Sequence, residues 1–131
     1  MGGKIKMEYK PMGLQSPLYG LAIRNPVGQE ATAVLENLTA EYDINNLRPI
    51  LDEMRRTGVK YIVLDFSQFP ATSRGQWLPF LDGAIAMGSG FETRYTGITV
   101  DEAGSGEPSF RDYIAPKIAG SLDEAVGGFN K

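Results

Sequence analysis

The run Tyr61-Ile62-Val63-Leu64-Asp65-Phe66-Ser67 constrains the fold more than any other part of the chain. An apolar run this short, closed by an acid and a hydroxyl, predicts a strand buried on both faces, which requires a sheet with helices packed on it. Ala71-Thr72-Ser73-Arg74-Gly75 and a helical pattern follow. Strand and helix are then successive elements of an α/β sheet, in which ligands and partners meet the carboxyl ends of the strands. The bend between this strand and the next helix is where a site is expected.

The 131 residues, 42% of them hydrophobic, suffice for one compact domain with its own core and are too few for two. The formal charge of -3 and the acidic pI near 4.9 argue against nucleic acid or an anionic membrane as the main partner, because those surfaces select a positive footprint. The sequence contains neither cysteine nor histidine. Disulfides, thiolate nucleophiles, the common zinc sites and the Ser-His-Asp triad are thereby excluded. Met1-Gly2-Gly3-Lys4-Ile5-Lys6 lacks the apolar core of a signal peptide, and Lys6 stands where a myristoylation motif has Ser or Thr. There is also no run of about 18 apolar residues, so the expectation is a soluble, cytoplasmic protein without membrane insertion.

Residues 1–17 show no sustained period and read as a loose or partly paired leader to a single domain over 18–131. Tyr19 to Arg24 and Thr32 to Leu38 read as two short strands joined through Asn25-Pro26-Val27-Gly28, a hairpin. Leu47, Ile50, Leu51 and Met54 follow the spacing of one helix face, with Asn45 or Asn46 as cap and Gly58 as terminator. Pro49 favours Asn46, because the proline then occupies the third helical position, where its missing N–H costs nothing. A second helix is expected over Gln76 to Met87, with Trp77, Leu78, Leu81, Ala84 and Ile85 facing the core. Ser73 and Gln76 match a capping box, yet a start at Ser73 puts Pro79 inside the helix. Either the helix begins near Gln76 and leaves Thr72 to Gly75 as an exposed loop, or it begins at Ser73 and is kinked. Tyr95 to Val100 reads as a further strand, and residues 102–108 as a mobile segment. Ser109 with Asp112 starts a short helix ended by Pro116. Ser121 with Glu124 starts a last one, which places Leu122, Ala125, Val126 and Phe129 on one face.

Three segments in this order resemble the STAS domain family of anti-sigma-factor antagonists and sulfate-transporter tails. Ala40-Glu41-Tyr42-Asp43 is similar to the family's Gly-Glu-Leu-Asp, Val63-Leu64-Asp65-Phe66-Ser67 to its Val-Leu-Asp-Leu-Ser strand, and Ser121-Leu122-Asp123-Glu124-Ala125 to its closing helix start. The resemblance implies a mixed four- to five-stranded sheet with helices mainly on one face. It also implies a non-enzymatic module without cofactor or metal, whose partner is an anti-sigma factor or histidine-kinase-like ATPase in a bacterial pathway; a homodimer is compatible with it. In the family, a serine within Asp-Ser-Ser-Gly at the start of the second helix is phosphorylated, which blocks binding. Here an ungapped alignment from Asp65 puts Gly75 on that serine, and one deletion puts Arg74 there. Thr72 and Ser73 are then the nearby phosphoacceptor candidates.

The partner-binding candidates are Phe69, Arg74, Gly75, Trp77 and Phe80, all at or beside the bend. Each has a plainer reading: Ser73 as a helix cap, Asp65 as an acid bonding the turn after it, Trp77 as core and Arg74 as a solvated charge. With the loop exposed, Arg74→Glu is expected to weaken docking and leave the fold intact. Two other functions compete. One is a receiver-like phospho-switch at Asp65, which lacks the required acidic pair and has Pro70 one residue too far along. The other is a small-molecule or lipid-handling domain using a crevice by Phe69, Pro70 and Trp77.

Overall fold

The computed structural model describes residues 8–12, 22–36, 44–83, 85, 90–104 and 108–130. Five strands, β1 (Tyr9–Pro11), β2 (Ala22–Pro26), β3 (Thr32–Glu36), β4 (Tyr61–Asp65) and β5 (Glu92–Thr96), lie side by side in chain order. The first three are antiparallel, and β3, β4 and β5 are parallel. Parallel neighbours need a crossover. Helix α1 (Ile44–Arg56) supplies the one between β3 and β4, and α2 (Ala71–Asp82) the one between β4 and β5. Three short helices follow: α3 (Val100–Ala103), α4 (Pro108–Ile114) with a 3-10 turn at Ala115–Lys117, and α5 (Leu122–Gly127). The chain is thus an α/β protein with an open, mixed, five-stranded sheet. The family's Gly-Glu-Leu-Asp counterpart, Ala40 to Asp43, lies outside the described residues.

The alternation along β4 decides which helix goes where. Ile62 and Leu64 join Ala33, Leu35 and Tyr95 in the larger core, with Leu47, Ile50, Leu51 and Met54 of α1 and Leu78 and Leu81 of α2. Val63 points the other way and packs with Val34, Ala125 and Val126, with Leu122 and Phe129 around them. Ile62, Val63 and Leu64 are fully buried, each worth about 1.5–3 kcal/mol relative to exposure. The helices therefore lie mainly on one face, and α5 covers the other. Ser121 caps α5 as its pattern suggests: its hydroxyl accepts from Glu124 N–H at 3.1 Å, and Glu124 in return accepts from Gly120 N–H at 3.2 Å.

Several boundaries differ from the sequence expectation. β1 falls inside the segment read as a loose or partly paired leader and pairs with β2, which is the second of those two readings for residues 9–11. β2 continues through Asn25 and Pro26, expected in the turn, because the Asn25 side chain is buried and donates to the Thr32 carbonyl at 2.8 Å. Residues 19–21, 37 and 38 of the two expected strands lie outside the described residues. Helix α1 starts at Ile44, not after Asn46, so Pro49 is interior. The burial of Leu47, Ile50, Leu51 and Met54, each at 2% exposure or less, outweighs the hydrogen bond that Pro49 cannot make. β5 is Glu92–Thr96, not Tyr95–Val100, since Thr93 and Tyr95 face the helices and Thr99 caps α3. The segment expected to be mobile from Glu102 contains the end of α3, and Gly104 is buried. α4 starts at Pro108, so Ser109 is inside it and not its cap.

Gly58 ends α1 as predicted. Its φ is +94°, and Val59 N–H bonds the Met54 carbonyl at 3.0 Å while Gly58 N–H bonds that of Arg55 at 3.1 Å, the paired bonds of a Schellman motif. A Cβ there meets no atom within 4 Å, so only the left-handed backbone opposes substitution. Gly58→Ala is expected to cost about 1 kcal/mol, measured by urea unfolding with an unchanged m-value.

Candidate functional site

The carboxyl ends of β4 and β5 form a rim with the bend from Phe66 to Pro70, the turn at Gly97 and the start of α2. Asp65 is half-buried and its Oδ1 accepts from Ser67 N–H at 2.9 Å, which turns the chain back over the sheet. Phe66 N–H bonds the Thr96 carbonyl at 2.9 Å, and Phe69 N–H that of Phe66 at 2.9 Å. Gly97, at φ +75°, lies so close that a Cβ would stand 2.4 Å from Ser67 N and 2.7 Å from Asp65 Oδ1. The bend is therefore clamped from below. Ser67, Gln68 and Pro70 remain exposed on it.

Helix α2 begins at Ala71, which corrects both expected starts. Thr72, Ser73 and Gly75 lie in its opening turns, not in an exposed loop, and Ser73 is its third residue, not its cap. The α-helical part runs to Asp82, and Gly83 and Ile85 continue as π-helix, while the expected end at Met87 lies outside the described residues. Arg74 supplies the physical reason for the early start. Its Nε donates to the Phe69 carbonyl at 2.9 Å and its Nη2 to that of Ser67 at 3.4 Å, while Nη1 lies 3.2 Å from Glu102 Oε2 on α3. One guanidinium thus ties the bend, α2 and α3 together. These bonds hold the opening turn at the cost of placing Pro79 in the helix interior. Of the two readings of Arg74, partner anchor and solvated charge, the second does not hold, since its side chain is 17% exposed.

Phe69 is buried, edge-on to Phe66 and to Trp77 at centroid distances of 5.5 and 5.8 Å. The ring that was expected to line a crevice or anchor a partner is part of the core. Trp77 is half-buried against that core, and Phe80 lies further along α2. Of the partner-binding candidates, the structure brings Phe69, Arg74 and Trp77 together as packing.

Glu102 is the residue that sequence reasoning missed. Its carboxylate accepts from Thr99 N–H at 2.9 Å, while the Thr99 hydroxyl accepts from Glu102 N–H at 3.0 Å, the reciprocal bonds of a capping box. The bond from Thr99, followed by the nearby Arg74, holds its pKa below the ordinary carboxylate value. The pattern Thr99-Val100-Asp101-Glu102 was visible in the sequence, but it was absorbed into a strand ending at Val100.

A second polar group lies deeper. The Asp82 carboxylate, 3% exposed, accepts from Tyr95 Oη at 2.5 Å, with the Thr93 hydroxyl at 3.4 Å and Lys117 Nζ at 3.6 Å. Burial, then the charge of Asp82, pushes the Tyr95 phenol above its ordinary pKa. Tyr95 therefore stays a donor through the physiological range. Among the described residues no group of three or more carboxylates is placed to hold a metal ion, and no helix is long and apolar enough to cross a membrane.

Comparison of the chain with protein-family models, with curated proteins and with solved structures finds no match. The resemblance to STAS domains therefore rests on the order of the sequence motifs alone.

Three predictions follow from the rim. Gly97→Ala combines a left-handed backbone with a steric clash and is expected to cost more than Gly58→Ala, roughly 2–4 kcal/mol in urea unfolding. Arg74→Glu, which sets a second carboxylate beside Glu102, is expected to destabilise by about 1–3 kcal/mol and not to leave the fold untouched. Glu102 has a folded-state pKa below its unfolded value, so its contribution is complete above about pH 5 and fades as the pH falls below that. In Glu102→Gln, the loss of stability between pH 5 and pH 3 should accordingly be smaller than in wild type, as read by thermal unfolding across that window.

Proposed function

We propose that this chain is a non-enzymatic, STAS-like regulatory module that docks a partner protein on the rim at the carboxyl end of β4. The observation that carries this reading is the way the rim spends its polar groups on itself. Asp65 is engaged with Ser67 N–H, and Arg74 with Glu102 and two carbonyls. What faces outward is a fixed bend with Ser67, Gln68 and Pro70 exposed. A surface already held in shape loses little conformational freedom on association, which favours docking. The architecture supports the same reading: an antiparallel start, two right-sized helical crossovers and a last helix across the opposite face.

In this reading the partner is an anti-sigma factor or a histidine-kinase-like ATPase of a bacterial regulatory pathway. Thr72 and Ser73 are the hydroxyls through which docking is controlled. A phosphate in the opening turn of α2 is favoured locally by the helix N-terminus, and its charge opposes an acidic partner surface. The receiver-like alternative fits less well, because a doubly wound receiver has a parallel sheet with a reversal of strand order, whereas here the strands follow in sequence and the first three are antiparallel.

Affinity capture from the source organism tests the rim, with wild type, Gln68→Arg, Pro70→Glu and, on the exposed side of α1, Asp52→Lys as bait. A partner recovered by wild type and by Asp52→Lys, and reduced at least about tenfold with the two rim variants, is the expected outcome for residues central to an interface. Equal recovery by all four baits would reject the rim as the docking surface.

A further inference from the structure

We propose that residues 108–119 form a strap held over the outer edge of β5 by a charge latch, in which Lys117 neutralises the buried carboxylate of Asp82. A carboxylate with 3% of its side chain exposed needs a counter-charge, because removing it from water is costly unless it is both paired and hydrogen-bonded. Tyr95 and Thr93 supply hydrogen bonds, and Lys117 supplies the charge. The ammonium is 3.6 Å from Asp82 Oδ1, 3.5 Å from the Thr93 hydroxyl and 3.0 Å from the Tyr113 hydroxyl, and it lies over the Tyr113 ring. Its side chain is one-fifth exposed, so the latch sits at the boundary between core and solvent.

Among the described residues the strap is also fastened to α3, where Arg111 Nη2 lies 2.6 Å from Asp101 Oδ1. Ile114 is buried, and Phe110 and Ile118 are partly buried against the core. Ala119 N–H bonds the Tyr95 carbonyl at 2.8 Å, and Ile118 bridges Tyr95. Ser109, Arg111, Asp112, Tyr113 and Pro116 are exposed. Helix α4 has seven residues, too few to persist without docking. The segment can therefore open as a unit at a free energy below that of global unfolding. Removing the charge of Lys117 leaves Asp82 buried without its partner, and opening the strap is the local route by which water reaches it. The edge of β5 around Tyr95 is uncovered in the open form.

Hydrogen exchange read by mass spectrometry tests the latch on the full chain, with wild type, Lys117→Met, Lys117→Arg, Asp82→Asn and the double variant Asp82→Asn/Lys117→Met. In Lys117→Met the amides of 108–119 are expected to exchange at least about tenfold faster, the effect of orphaning a partly buried charge, while those of β3 and β4 keep their wild-type rates. Lys117→Arg should retain most of the protection. The double variant, which removes the carboxylate's charge along with the lysine's, should recover a large part of it. Unchanged exchange over 108–119 in Lys117→Met would overturn the proposal. So would a rise shared equally by β3 and β4, or a double variant no better protected than Lys117→Met.

Discussion

Everything in this structure is arranged around the requirement that β4 be covered on both faces. Its three central side chains alternate, so Ile62 and Leu64 demand one layer and Val63 another. The first layer is large, because α1 and α2 are the crossovers that make β3, β4 and β5 parallel, and both land on the same side. The second is small: α5, six residues long, closes it with Leu122, Ala125 and Val126, assisted by Phe129 stacked near Tyr61. The unequal layers leave room on the second face for charged side chains. There Arg24 pairs with Glu36 and lies over the Tyr9 ring, and Arg94 lies over Phe129.

What the sequence made legible was whatever depended on hydrophobic spacing. The buried β4 run, the α1 face from Leu47 to Met54 and the α5 face from Leu122 to Val126, continued by Phe129 in the turn after it, all appear where their periods put them. What it hid was set by polar groups reaching across the fold. Arg74 reads as a surface charge next to a turn, and nothing local reveals that the Ser67 and Phe69 carbonyls and a carboxylate 28 positions later converge on it. Both prolines misled for the same reason. Rules for a helix in isolation count a missing hydrogen bond, whereas α1 is held by its buried face and α2 by packing and the bonds of Arg74, which tolerate Pro49 and Pro79 inside. Thr93 fell outside the expected strand, which began at Tyr95, yet it is fully buried beside Asp82.

The rim and the buried carboxylate use similar chemistry for different ends. At the rim, Arg74 and Glu102 are each part-exposed, and their bonds to backbone carbonyls and amides define a shape. At Asp82 the carboxylate is sealed while its lysine reaches the solvent boundary, and its weight falls on whether a neighbouring segment stays in place. Both couple α2 to later parts of the chain, the first near its beginning through α3 and the second at Asp82 through Lys117. Helix α2 is thereby restrained by ion pairs at Arg74 and at Asp82, with Leu78 and Leu81 buried between them.

The two flanks of the described sheet are guarded by different means. On one side β1 is three residues long, carries exposed Lys10 and ends in Pro11, which has no N–H to offer a further strand. On the other, Ile118 and Ala119 occupy the backbone of Tyr95. A second molecule that tried to extend the sheet would find a ragged, charged margin at one flank and would have to evict resident backbone at the other, so the architecture disfavours edge-to-edge polymerisation of its own copies.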